Sequence, residues 1–133
     1  MAASFDAERS AGCNADRVQV RVLIVDDNQQ FLDAARVLLE RQGLAVVGVA
    51  TAGAEALRLV DELRPDVVLV DIRLGQENGF EVARRVHATV ILISTDTQNE
   101  WAAEIASSPA AGFIHKARLS GTSIRRLLEN GGE

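Results

Sequence analysis

A chain of 133 residues is long enough to close one ordinary hydrophobic core and too short for two, and its 47% hydrophobic and 25% charged residues are too apolar for a disordered protein. A net charge of -5 supplies no basic field to displace counterions from nucleic acid, so direct DNA or RNA binding is not expected. Cys13 has no partner for an internal disulfide, no apolar run reaches membrane-spanning length, and no basic, apolar leader opens the chain, so the expectation is a cytoplasmic protein without membrane contact.

In chain order, residues 1–18 are rich in Ala, Ser, Gly, Asp and Asn without period, which predicts a disordered or weakly ordered tail ahead of a folded domain over 19–133. Val20 to Val25 is a short β-branched run that stops at two aspartates, as a buried parallel strand does. Asp27 or Asn28 can cap the helix that follows, in which Phe31, Ala34, Ala35, Leu38 and Leu39 share a face before Gly43 ends it. Leu44 to Ala50 is a second strand, and Ala54, Leu57, Val60 and Leu63 carry helical spacing up to Arg64-Pro65. A third strand, Val67 to Val70, ends at Asp71; a polar loop with Gly75 and Gly79 then leads into a short helix over about Phe80 to Val86. Val90 to Ile93 predicts the fourth strand, Trp101 to Ala106 the fourth helix, Gly112 to His115 the fifth strand and Ile124 to Leu128 the heart of the fifth helix. Strict alternation of five strands and five helices implies an α/β fold, a parallel sheet covered on both faces, with ligand chemistry at the carboxyl ends of the strands.

The residues just beyond those strand ends are Asp26 and Asp27, then Asp71, then Ser94 and Thr95, then Lys116. No apolar core needs such a set, and burying it unpaired is costly. Two carboxylates about 5 Å apart at an effective dielectric of about 20 repel by roughly 3 kcal/mol, so three of them call for a cation. Mg²⁺ suits the set, because it takes a few carboxylate oxygens, retained waters and a phosphate ligand, and Lys116 offers a second positive charge. The plainer readings are that Asp26 and Asp27 merely cap a helix, that His87 and His115 are a solvated helix end and a strand-edge residue, that Trp101 packs against its helix's neighbours, and that Arg125 and Arg126 line a solvated face.

Taken together, Val-Leu-Ile-Val-Asp-Asp at the first strand, Val-Leu-Val-Asp-Ile-Arg-Leu at the third, Ile-Leu-Ile-Ser-Thr at the fourth and Gly-Phe-Ile-His-Lys at the fifth resemble the receiver domain of bacterial two-component response regulators, over about Val20 to Asn130. The resemblance implies a flavodoxin-like, doubly wound sheet with strand order 2-1-3-4-5. It implies Asp71 as phosphoacceptor, Mg²⁺ held by Asp26, Asp27, Asp71 and the backbone carbonyl of Arg73, and Ser94 and Lys116 as contacts to the phosphoryl oxygens. It further implies a switch through Ser94 and Phe113, the phosphoryl donor being a sensor histidine kinase or phosphotransfer protein and the output an unknown protein met by the helix 4, strand 5 and helix 5 surface. Arg73 and Asp96, two residues beyond Asp71 and Ser94, would flank the phosphoryl group as an ion pair that screens attacking water.

The chain departs from the family pattern twice. Only 23 positions separate Asp71 from Ser94, which places a deletion in helix three or the loop after it, and Ala117 stands where proline commonly follows the lysine, which predicts a trans peptide bond there. A dehalogenase-like phosphatase would need an acid where Arg73 stands, and a P-loop or dinucleotide enzyme a glycine-rich loop where Asp26-Asp27-Asn28 stands. The remaining alternatives are a receiver-fold scaffold without regulated phosphorylation and a receiver portion of a DNA-binding regulator, against which the ending Asn130-Gly131-Gly132-Glu133 reads as a natural stop.

Overall fold

The computed structural model describes residues 19–131, with side chains to 129, so the predicted tail and Cys13 lie outside the described residues. Five strands, β1 (Arg21–Val25), β2 (Ala45–Ala50), β3 (Val67–Asp71), β4 (Val90–Ser94) and β5 (Gly112–His115), form one parallel sheet in the spatial order β2-β1-β3-β4-β5. The helices α1 (Gln29–Arg41), α2 (Gly53–Leu63), α3 (Gly79–Arg85) and α4 (Ala102–Ser107) connect successive strands, and α5 (Gly121–Gly131) follows β5. The chain therefore leaves β1 first toward one edge and then toward the other, and the crevice where it reverses opens at the carboxyl ends of β1 and β3.

The apolar strands feed two cores because successive side chains point to opposite faces. Leu23, Val25, Val68, Val70, Val90 and Leu92 pack with Ala56 and Val60 of α2 and Phe80, Val82 and Ala83 of α3. Val22, Ile24, Val67, Leu69, Ile91, Ile93 and Ile114 pack with Leu32, Ala35 and Leu39 of α1 and Ile124 of α5. Burial on both faces explains why these strands read as unbroken apolar runs instead of alternating ones.

Two helix faces differ from the sequence expectation. In α1 the buried stripe is Leu32, Ala35 and Leu39, whereas Ala34 is exposed and Phe31 and Leu38 are half-buried. Phe31 packs at the margin of that core, and its ring also lies under Lys116. In α2 the core contacts are Ala56 and Val60, Ala54 is exposed, and Leu57, Leu59 and Leu63 line the margin.

The helix boundaries follow local chemistry. Asn28, not Asp27, caps α1, its side chain accepting from Phe31 N at 3.1 Å. Gly43, in the left-handed region at φ 90°, turns the chain out of that helix. Between β3 and α3 the polar loop forms a two-residue hairpin, Arg73–Leu74 with Glu77–Asn78, turned at Gly75 with φ 59°. At Gly79 a Cβ would lie 2.1 Å from the carbonyl oxygen of Asp71, so only glycine lets α3 start directly against the end of β3. The shortage of residues between Asp71 and Ser94 appears in α3, which has 7 residues where α1 has 13 and α2 has 11. The bond after Lys116 is trans, as expected without proline.

Candidate functional site

At the carboxyl edge of the sheet, β1 and β3 bring three carboxylates together. Oxygens of Asp26, Asp27 and Asp71 lie within 4.8 Å of one another, with Asp26 and Asp71 buried and Asp27 exposed. Asp26 Oδ1 accepts from Asn28 N at 2.8 Å, and Asp71 Oδ1 accepts from Arg73 N at 3.2 Å, so the backbone of both following turns fixes one oxygen of each acid. Their second oxygens face Lys116, whose ammonium lies 2.6 Å from Asp26 Oδ2 and 3.3 Å from Asp71 Oδ2, and 4.4 Å from the centroid of the Phe31 ring. Asp26 Oδ2 is fully buried, and the Lys116 ammonium is the one positive group that meets it among the described residues.

The electrostatics show a site short of positive charge. Burial, reinforced by the charge of Asp26, pushes the Asp71 carboxyl up to about 6, against the pull of Lys116 and the Arg73 N–H. For Lys116, burial works against the charged form, yet the bond to Asp26 and the charges of Asp71 and Asp26 hold its ammonium above the ordinary lysine value. A lysine beside Asp71 would by itself lower that acid; the opposite net shift follows because burial and the charge of Asp26 outweigh the one ammonium, which lies closer to Asp26. Three carboxylates converging beside one ammonium form an acidic, oxygen-lined crevice that fits a small hard cation such as Mg²⁺.

The β4 and β5 side completes the edge. Ser94 is 1% exposed and its Oγ accepts from Asp96 N at 2.9 Å, whereas Thr95 is exposed, so strand register selects Ser94 as the inward hydroxyl. Arg73 and Asp96 form the expected pair, Nε to Oδ2 at 2.7 Å across the mouth of the site. The hydrogen bond and charge of Asp96 hold the Arg73 guanidinium above its usual value, and the bonds from Arg73 and then Trp101 hold the Asp96 carboxyl below its own. Phe113 on β5 is half-buried and packs against the core that α2 and α3 cover, at its β5 edge.

Sequence reasoning missed two contributors. Trp101 lies in a 3-10 turn, Gln98–Trp101, that precedes α4; its Nε1 donates to Asp96 Oδ2 at 3.0 Å, its ring meets Phe80 in a tilted contact with centroids 5.8 Å apart, and the Arg73 guanidinium sits 5.3 Å from its centroid. The only available signal was its spacing of five from Asp96, which no motif marks. His115, read as a strand-edge residue, has both ring nitrogens bonded to backbone. His87 is an exposed residue just beyond α3, and Arg125, though exposed, donates to the carbonyl oxygen of Gln42 at 3.2 Å.

Residues 22–127 match the family model described as response regulator receiver domain. Response regulator GacA of Pseudomonas aeruginosa is 31% identical over 103 residues, covering 73% of this chain and 48% of its own length. This chain thus spans about half the length of the curated relatives it matches. Among solved structures, the signal receiver domain of a modulated diguanylate cyclase from Desulfovibrio desulfuricans superposes with a TM-score of 0.72 at 31% identity, over 86% of this chain and 94% of its own. A LuxR-family two-component response regulator from Aurantimonas superposes with a TM-score of 0.73 at 27% identity, over 85% and 84%.

Proposed function

The chain belongs to the response regulator receiver domain family, a family of signalling domains, and on that premise we propose that Asp71 accepts a phosphoryl group from a sensor histidine kinase or phosphotransfer protein. The observation that carries this reading is the convergence at the crevice between β1 and β3: three acids with oxygens within 4.8 Å of one another, two of them paired with the ammonium of Lys116. Asp71 is the nucleophile of the set because it ends the central strand, between the acids that follow β1 and the Ser94 hydroxyl that ends β4, with the Lys116 ammonium in reach of arriving phosphoryl oxygens. In the transfer the donor's N–P bond breaks, its electron pair returning to the imidazole, as an Asp71 O–P bond forms; the product is an acyl phosphate. Asp26, Asp27, Asp71 and the backbone carbonyl of Arg73 would hold Mg²⁺, which when bound neutralises charge on the transferring group. Lys116 and Ser94 then contact its oxygens, Ser94 leaving its bond with Asp96 N to do so.

That movement of Ser94 biases Phe113 and the face formed by α4, β5 and α5, through which a stand-alone chain signals to a downstream protein. Among the described residues no helix is long and apolar enough to cross a membrane. A second reading, a receiver portion of a longer transcriptional regulator, is favoured by the half-length coverage of the relatives. Intact mass after incubation with acetyl phosphate and Mg²⁺ tests the proposal. One added phosphoryl group is expected on the native chain, none on Asp71→Asn and none with a chelator; no addition to a folded native chain leaves a phosphorylation-independent scaffold.

A further inference from the structure

Strand periodicity sends the side chains of His115 and Lys116 to opposite faces of β5: Lys116 turns toward Asp26 and Asp71, and His115 toward the loop after β4. There His115 Nε2 lies 2.8 Å from the carbonyl oxygen of Thr95, and Nδ1 lies 3.0 Å from Ala117 N. A carbonyl only accepts and a backbone N–H only donates, so the partners themselves fix a neutral ring with its proton on Nε2. The two residues so tied are chain neighbours of Ser94 and Lys116, and Ser94 is also the register partner of His115 across the β4–β5 ladder. Lys116 to Arg118 form a 3-10 turn whose cap is the His115 ring, at the place where Ala117 provides no ring constraint of its own.

We propose that His115 is a positioning residue that clasps the backbones carrying Ser94 and Lys116, and so sets the reach of both groups toward a phosphoryl group on Asp71. The proposal rests on the reading of Asp71 as phosphoacceptor. It also makes the clasp sensitive to protons. A second proton at Nδ1 would point at the Ala117 N–H, replacing a hydrogen bond by the apposition of two donors. The groups facing the ring are few. The turn after β5 contributes Arg118, whose charge opposes a protonated ring; α5 contributes Ser123, and the 3-10 turn before α4 contributes Thr97 and Gln98, all around a cavity of about 390 Å³. β4 presents the Thr95 carbonyl.

Two measurements on the full chain test it over pH from about 8 to about 5, which spans the histidine range. In ¹⁵N NMR without phosphodonor, the neutral ring carries its proton on Nε2 and the Ala117 amide shift follows the ring's titration; a proton on Nδ1, or an Ala117 amide indifferent to that titration, overturns the clasp. In the second, phosphorylation by acetyl phosphate with Mg²⁺ is timed. His115→Ala is expected to slow it about tenfold, and His115→Asn, whose side-chain oxygen can accept from Ala117 N, to restore most of the rate without the acid loss particular to the native chain. Taking the native-to-Asn ratio at each pH cancels the titration of Asp71, which both proteins share. An Ala variant as fast as the native chain, with the same pH profile, overturns the positioning role and leaves Asp71 as acceptor. A native chain that takes no phosphoryl group at any pH overturns the acceptor reading, and the positioning role with it.

Discussion

The region around β1, β3 and α1 and the stretch of 3-10 turn and α4 that follows the buried β4 are held by different forces. In the first, the 13-residue α1 buries Leu32, Ala35 and Leu39 against strands whose apolar residues are fully enclosed. In the second, neither the 3-10 turn nor the 6-residue α4 has a buried residue. That stretch is held by the margins of Trp101 and Ile105 and by polar contacts: the Thr97–Glu100 capping box and the bond from Trp101 to Asp96. Segments with little buried apolar surface are the ones that open at low cost. The difference teaches that the acid cluster stands on the rigid region, while Ser94, Asp96 and Phe113 connect it to a stretch able to rearrange.

Core truncations break this comparison most directly. Leu39→Ala in α1 is expected to cost about 2–5 kcal/mol, whereas Ile105→Ala in α4, half-exposed, costs less than about 1 kcal/mol, both read by urea denaturation. Equal costs would mean that α4 is as firmly held as α1.

A smaller effect concerns the acid cluster without divalent cation. Asp71 has a folded value near 6 against 3.8 for the free group, so the folded protein binds its proton more tightly than the unfolded chain does. That contribution to stability is complete below about pH 4, declines as pH rises and is gone above about 6. Asp71→Asn therefore stabilises the metal-free protein at pH 7.5 by about 1 kcal/mol and removes its share of the slope between pH 4 and 6. A thermal-denaturation series in chelator over that range checks it, and an Asn variant less stable at pH 7.5 would show that Lys116 already neutralises the cluster.

Smallest is the pair across the mouth. Arg73 is largely exposed and its salt bridge is screened, so Asp96→Ala should leave the fold intact and shorten the phosphorylated lifetime about threefold. An unchanged dephosphorylation rate, followed by loss of the phosphoprotein mass, would reduce the pair to a surface contact.

The order of strands and helices was legible because short apolar runs stop at Asp26 and at Asp71, and because helical spacing fills the intervals, as it does up to Arg64-Pro65. The acid cluster and Lys116 were legible for the same reason: strand ends of a parallel sheet converge whatever the loops do. Register within a helix was less so. Phe31 and Leu32 are adjacent and similarly hydrophobic, so composition alone does not say which centres the buried face; in the structure Leu32 does, with Ala35 and Leu39, while Phe31 packs at the margin beneath the Lys116 ammonium. The Arg73–Asp96 pair was found from its offsets past Asp71 and Ser94. Its third member, Trp101, and the bonds of His115 were not, since they depend on how a 3-10 turn and two strand ends meet in space.

Reduction with borohydride tests the central claim most directly, because it converts an aspartyl phosphate to homoserine at the residue that carried it. After exposure to acetyl phosphate and Mg²⁺, peptide mapping should find homoserine at position 71 and aspartate at positions 26 and 27. Homoserine at 26 or 27, or an added phosphoryl mass with aspartate retained at 71, would contradict the assignment.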